Sequence, residues 1–165
     1  MPVLHTQQLL TQGQTAGVFL SADGDRVYKL FKFLGPGRSE QRLRAVFAAE
    51  RQAYQVLTQH PQLRDHAPRL FGTPRIDAVL NNRSDASHGF LLDCCLELER
   101  VQGGSIPVFA VEPPHRLRVL MLLKRFEKAG IDYVLDAEVF DWQRPDEMKL
   151  VDFAVRDARA DYPDQ

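Results

Sequence analysis

Val27-Tyr28-Lys29-Leu30-Phe31-Lys32-Phe33 carries the pattern on which the fold reading turns. Period-two alternation puts Val27, Lys29, Phe31 and Phe33 on one face, so an ammonium stands in an apolar row, where it requires a carboxylate or a phosphate. Upstream, Ala22-Asp23-Gly24-Asp25 holds an Asp-Gly hairpin signal. Residues 9–11 and 17–20 read as two further strands, which makes residues 8–33 a three-stranded meander. Downstream of Gly35-Pro36-Gly37, Leu43, Val46, Phe47, Ala53, Tyr54 and Leu57 recur at helical spacing. They predict a helix over residues 39–59, with Ser39 as N-cap and His60-Pro61 as its stop. Glu50 falls inside that apolar stripe and requires a cation. The economical arrangement packs the helix on the sheet and pairs Glu50 with Lys29; the alternative is a snorkelling lysine and a glutamate facing water at an edge.

The remaining pattern is shorter in period. Strands are expected at residues 75–80 and 90–98, separated by the polar loop 81–89, and a linker follows over 102–113. A second helix over 114–129 has Pro114 at its start, Gly130 at its end and Lys124, Arg125 and Lys128 in its last turns, which suits the helix dipole. Residues 133–140 and 148–155 read as two short strands. Within Lys149-Leu150-Val151-Asp152-Phe153-Ala154-Val155, Asp152 interrupts an apolar run; an acid there caps a turn or binds a cation.

Composition bounds these readings. A chain of 165 residues with 44% hydrophobic and 26% charged residues is expected to form one domain, residues 1–165, and excludes disorder. Its 21 basic and 22 acidic residues leave a net charge of −1, which gives no global reason to expect nucleic acid as a partner. No stretch approaches the apolar length of a membrane span. Cys94 and Cys95 are adjacent, which disfavours a disulfide and fits reduced thiols in the cytoplasm; delivery into another cell as an effector is compatible with the same pattern. His5, His60, His66, His88 and His115 show no paired metal spacing. The arginine-rich stretch 38–51 and His115-Arg116-Leu117-Arg118 read as solvated helix faces, either of which could dock an acidic partner. Oligomeric state is left open.

Lys29 on the third strand, Glu50 on the next helix, Leu98-Glu99-Arg100-Val101-Gln102-Gly103-Gly104-Ser105, a helix ending Ala129-Gly130-Ile131, and Leu150-Val151-Asp152-Phe153-Ala154 follow one another in an order that resembles the protein-kinase-like fold. The resemblance implies an α+β protein with a five-stranded antiparallel N-lobe sheet, one packed helix and a hinge over residues 8–104. A truncated C-lobe, a helix and a short β-hairpin, follows over 105–156. It implies ATP and Mg²⁺ as cofactors. Gly13-Gln14-Thr15-Ala16-Gly17 becomes a reduced phosphate-covering loop, Lys29 the ligand of the α- and β-phosphates positioned by Glu50, and Asp152 the metal ligand. The backbone of Glu99 and Val101 would face adenine, with Leu98 behind it. Asp136-Ala137-Glu138-Val139-Phe140-Asp141 matches the catalytic-loop spacing, with Asp136 as base and Asp141 as second metal ligand. Aspartate stands there for the family's asparagine, Val134-Leu135 for its His-Arg pair, and Ala154 for its glycine. The implied activity is a Ser/Thr protein kinase. A pseudokinase or nucleotide-binding interaction module is the alternative, followed by a small-molecule kinase or AMP transferase. Since few residues follow Ala154, the helices that present a peptide substrate are not expected, and a protein partner would supply or replace them.

Overall fold

Turn chemistry and alternation build the first half of the molecule. The computed structural model describes residues 2–155, and for residues 133–136 the backbone alone. In chain order its elements are β1 (Val3–His5), β2 (Leu9–Gln12), β3 (Ala16–Leu20), β4 (Arg26–Lys32), α1 (Arg38–Leu57), α2 (Pro61–Arg64), β5 (Leu70–Gly72), β6 (Ala78–Asn81), β7 (Ser84–Asp85), β8 (Phe90–Glu99), β9 (Ser105–Pro107), α3 (Arg116–Lys128), β10 (Ile131–Phe140) and β11 (Lys149–Val155). The protein is α+β, with mostly antiparallel sheets and few helices. Its described residues divide into two compact units, 2–47 with 70–100 and 48–69 with 101–155. Helix α1 begins in the first and ends in the second.

In the first unit, β2-β3-β4-β8-β5 form a five-stranded antiparallel sheet. The β3–β4 turn forms as its Asp-Gly pair demands. Gly24 takes φ +80°, the Ser21 hydroxyl donates to Asp23 Oδ1 at 2.6 Å, and the Asp25 and Arg26 amides bond to Asp23 Oδ1 and Ser21 Oγ. One face of the sheet is covered by Leu4, Ile76 and Val79, which close on Phe19, Leu30 and Cys95. The other carries Phe31, whose ring meets that of Phe47 on α1 edge-on at 5.5 Å.

The strand expected at 75–80 forms as β6, Ala78–Asn81, but lies outside the five-stranded sheet. The sheet's fourth strand in sequence is β5, paired with the far end of β8, whereas β6 joins β1 in parallel and β7 antiparallel in a small separate sheet. The reason is burial: Ile76 and Val79 are wholly buried as the sheet's cover, a place that a strand within the sheet cannot take. The expected linker 102–113 also contains β9, which turns the expected hairpin of β10 and β11 into the three-stranded sheet β11-β10-β9.

In the second unit, α3 buries Val119, Leu122, Leu123 and Phe126. The loop after α2 is tied to β11 by the Leu150 amide on the His66 carbonyl at 2.8 Å, by His66 Nδ1 against the Met148 carbonyl at 2.8 Å, and by Lys149 Nζ on the Asp65 carbonyl at 2.9 Å.

Gly17 has a packing role. A Cβ there would stand 3.2 Å from Leu9 Cδ1 and 3.3 Å from Phe19 Cε2. Gly17→Val is therefore expected to lower stability by about 1–3 kcal/mol. Gly89→Ala, which meets nothing within 4 Å, should stay within about 0.5 kcal/mol in the same urea titration.

Candidate functional site

The first unit places Lys29 on an apolar face. In the ladder its direct neighbours are Val18 on β3 and Leu96 on β8, and Leu96 is fully buried. Two residues along the strand, the Phe31 ring lies 5.7 Å from the ammonium, so the alternation does set Lys29 and Phe31 on one face. The glycine-bearing loop sits between β2 and β3. It is held by Lys32, whose amide bonds the Thr15 carbonyl at 2.9 Å and whose ammonium donates to the Gly13 carbonyl at 2.5 Å. Sequence reasoning passed over Lys32, since nothing in its strand position distinguishes it from a solvated lysine. Gly13 shows no left-handed backbone, and Gly17 is accounted for by the packing of Leu9 and Phe19.

At the far end of β8, Leu98 is buried opposite Val27, and Glu99 pairs in register with Arg26. Arg100 ties this segment to the β3–β4 turn through its amide on the Asp25 carbonyl and its guanidinium on the Gly24 carbonyl, both at 3.2 Å. Val101 opens the second unit, so the unit border falls within the expected hinge.

Glu50, Tyr54 and Asp152 all belong to the second unit. Glu50 is 4% exposed, the buried charged side chain among the described residues. Tyr54, one helical turn on, shares its face and is buried with its ring 4.8 Å from that of Phe153, which in turn meets Phe126 at 5.7 Å. Burial pushes the Tyr54 phenol well above its ordinary range, and the nearby Glu50 and Asp152 carboxylates push it the same way. Two carboxylates thus converge on one buried phenol. Tyr54 was read only as an apolar stripe position; its i,i+4 relation to Glu50 was the available signal.

Asp152 is held in left-handed backbone, φ +63°, a region Asp tolerates better than most residues. The cause lies in the ladder. Tyr133 pairs with Phe153 and Glu138 with Val151, so residues 134–137 of β10 stand opposite Asp152 alone. A bulge of this kind re-aims a strand residue away from the regular pleat. Asp136 lies within it in sequence, and its side chain is outside the described residues. Ala154 is buried in the ladder opposite Asp132.

Asp141 is not brought to Asp152. It begins the β10–β11 turn at φ +52° and is bound by Arg144 at 2.9 Å, and Arg144 also reaches Glu147 at 2.7 Å. Phe140 pairs with Lys149, so three ladder residues, about 10 Å at 3.3 Å per residue, separate that end from Asp152. No cluster of three or more His, Cys, Asp or Glu side chains occurs among the described residues. The donor set still fits Mg²⁺, which is held by one or two carboxylates with substrate phosphates rather than by an all-protein cage.

No family model, no curated protein and no solved structure matches this chain. Its chemistry therefore rests on the residues themselves. Cys94 and Cys95 are free and buried. Burial, with Asp93 beside it, pushes the Cys94 thiol up to about 11, and burial raises Cys95 further, so neither is a nucleophile near neutral pH.

Two outcomes follow. Alkylation of Cys94 in the folded protein should be about 100-fold slower than that of an ordinary thiol between pH 7 and 9, accelerating as the pH approaches 11 and on unfolding. Asp152→Gly should resist urea better than Asp152→Ala, by about 1 kcal/mol, because only glycine occupies left-handed backbone without a Cβ clash.

Proposed function

We propose that the chain is an ATP-Mg²⁺-dependent phosphotransferase of protein-kinase-like type, acting on a serine or threonine hydroxyl of a protein. The observation that supports this most is the convergence of buried Glu50 and left-handed Asp152 on Tyr54. Glu50 is buried and Asp152 half-buried beside aromatic rings, and a charge buried there costs several kcal/mol unless it is compensated.

In this reading Asp152 holds the divalent ion, which when bound neutralises charge on the transferred phosphoryl group. Lys29 binds the α- and β-phosphates, and Glu50 keeps the positioning role that the resemblance assigns to it. Val18 and Leu96 flank half-exposed Lys29 in the ladder, and apolar neighbours strengthen an ammonium's hold on phosphate oxygens. Leu98 and the backbone of Glu99 and Val101 serve the adenine ring. Asp136 is the base that takes the hydroxyl proton. The turn between β2 and β3, latched by Lys32, covers the phosphates with main-chain groups rather than with a full set of glycines.

One observation favours a second reading, a nucleotide-binding interaction module without transfer. Asp141, the residue assigned to a second metal position, is engaged by Arg144 in the hairpin turn, and the ladder separates it from Asp152. A single placed metal carboxylate suffices to bind nucleotide more readily than to transfer its phosphate.

Incubation with ATP labelled on the γ-phosphate, Mg²⁺ and a cell lysate separates the readings. The wild type should transfer label to protein, and Lys29→Ala and Asp152→Ala should each reduce transfer by about 100-fold or more. ATP-Mg²⁺ at 100 times its Kd should raise Tm by about 5–10 °C. A shift without transfer assigns the interaction module, and label arriving from the α-phosphate assigns AMP transfer. Neither shift nor transfer removes both nucleotide readings.

A further inference from the structure

Helix α3 buries one side and leaves the opposite side uncovered. At about 100° per residue, Val119, Leu122, Leu123 and Phe126 form the buried stripe, and Leu117, Met121, Lys124 and Lys128 form the stripe directly opposite. Leu117 is 67% exposed and Met121 57%, one turn apart, and Leu120 stands half-buried at their side. Single exposed apolar residues are ordinary, but two in register on a helix are a ready pair of anchor points.

The charge around them is one-sided. Arg116, Arg118, Lys124, Arg125 and Lys128 share the helix with Glu127 as its one acid. Arg116 is committed to the Val111 carbonyl at 2.8 Å and Arg125 to the Gln62 carbonyl at 3.3 Å. Arg118, Lys124 and Lys128 remain, with no ion pair among the described residues.

We infer that the outer face of α3 is a docking surface for an acidic amphipathic segment of a partner protein. Apolar side chains of that segment would pack on Leu117 and Met121, and its carboxylates would meet Arg118, Lys124 and Lys128. Charge complementarity selects this occupant. A second copy of the chain docked face to face would set these cations against their own equivalents, which costs several kcal/mol. A lipid surface fits poorly, because helices that lie in a membrane interface bury a whole apolar face, and the apolar face of α3 is already committed to the unit's core. The inference stands independently of the nucleotide chemistry, since none of these residues belongs to the Lys29, Glu50 or Asp152 sites.

The test uses the full chain and a fluorescein-labelled helical peptide with leucines at i and i+4 flanked by glutamates. Saturable binding is expected, weakening as salt rises. Leu117→Asp with Met121→Asp should weaken it at least tenfold while leaving Tm unchanged, because both side chains are exposed. Lys124→Glu with Lys128→Glu should weaken it likewise, and this variant should gain affinity for a peptide in which lysines replace the glutamates. No saturable binding, or binding indifferent to both variant pairs, overturns the inference. So does co-sedimentation with phosphatidylserine vesicles that is lost in Leu117→Asp with Met121→Asp, which would assign the face to lipid. A concentration-dependent dimer abolished by the same substitutions would assign it to self-association and overturn the inference equally.

Discussion

Strand β4 is paired on both edges and, at Leu30 and Phe31, covered on both faces, and much of the first unit depends on that. Its Leu30 side closes on Leu4, Phe19, Ile76, Val79 and Cys95, and its Phe31 side packs against Phe47 of α1. Only Leu30 and Phe31 of the strand are buried, while Arg26, Lys29 and Lys32 stay half-exposed. Lys29 is flanked in the ladder by Val18 and Leu96. Apolar neighbours lower the local dielectric, and an ammonium beside them holds its counter-charge more tightly than one in open water.

The second unit repeats that logic with the opposite sign. Glu50 is buried in an aromatic layer with Tyr54 and Phe153, and Asp152 is turned out of the regular pleat by the bulge opposite it. The left-handed backbone is the visible cost of that turn, and strained positions of this kind concentrate where a side chain has to be aimed.

Much of this was legible in local pattern. The Asp-Gly turn, the alternation that faces Lys29 with Phe31, the helical stripe that places Glu50 inside, and the terminal Gly130 each depend on neighbours within a few residues. The structure shows each of them with shifts of one or two residues at the boundaries. The strand expected at residues 75–80 forms as β6 but in a separate sheet, because an apolar run such as Ile76 to Leu80 reads the same whether it lies within a sheet or lies over one. Residues 102–113 hid β9 because a three-residue edge strand has no period. Tyr54 looked like any other stripe position, since its meaning depends on Asp152, about a hundred residues away in the chain.

What the sequence by itself determined is the set of secondary elements and the three charges that break them, because periodicity, turn chemistry and misplaced polarity are local properties. Only the tertiary structure decided which strands share a sheet, that Gly17 makes room for Leu9 and Phe19, that Asp141 belongs to a turn held by Arg144, and that Asp152 stands at a bulge beside a buried phenol. Those outcomes depend on long-range register and on which surfaces are left to be covered, and neither is written in any short stretch of the chain.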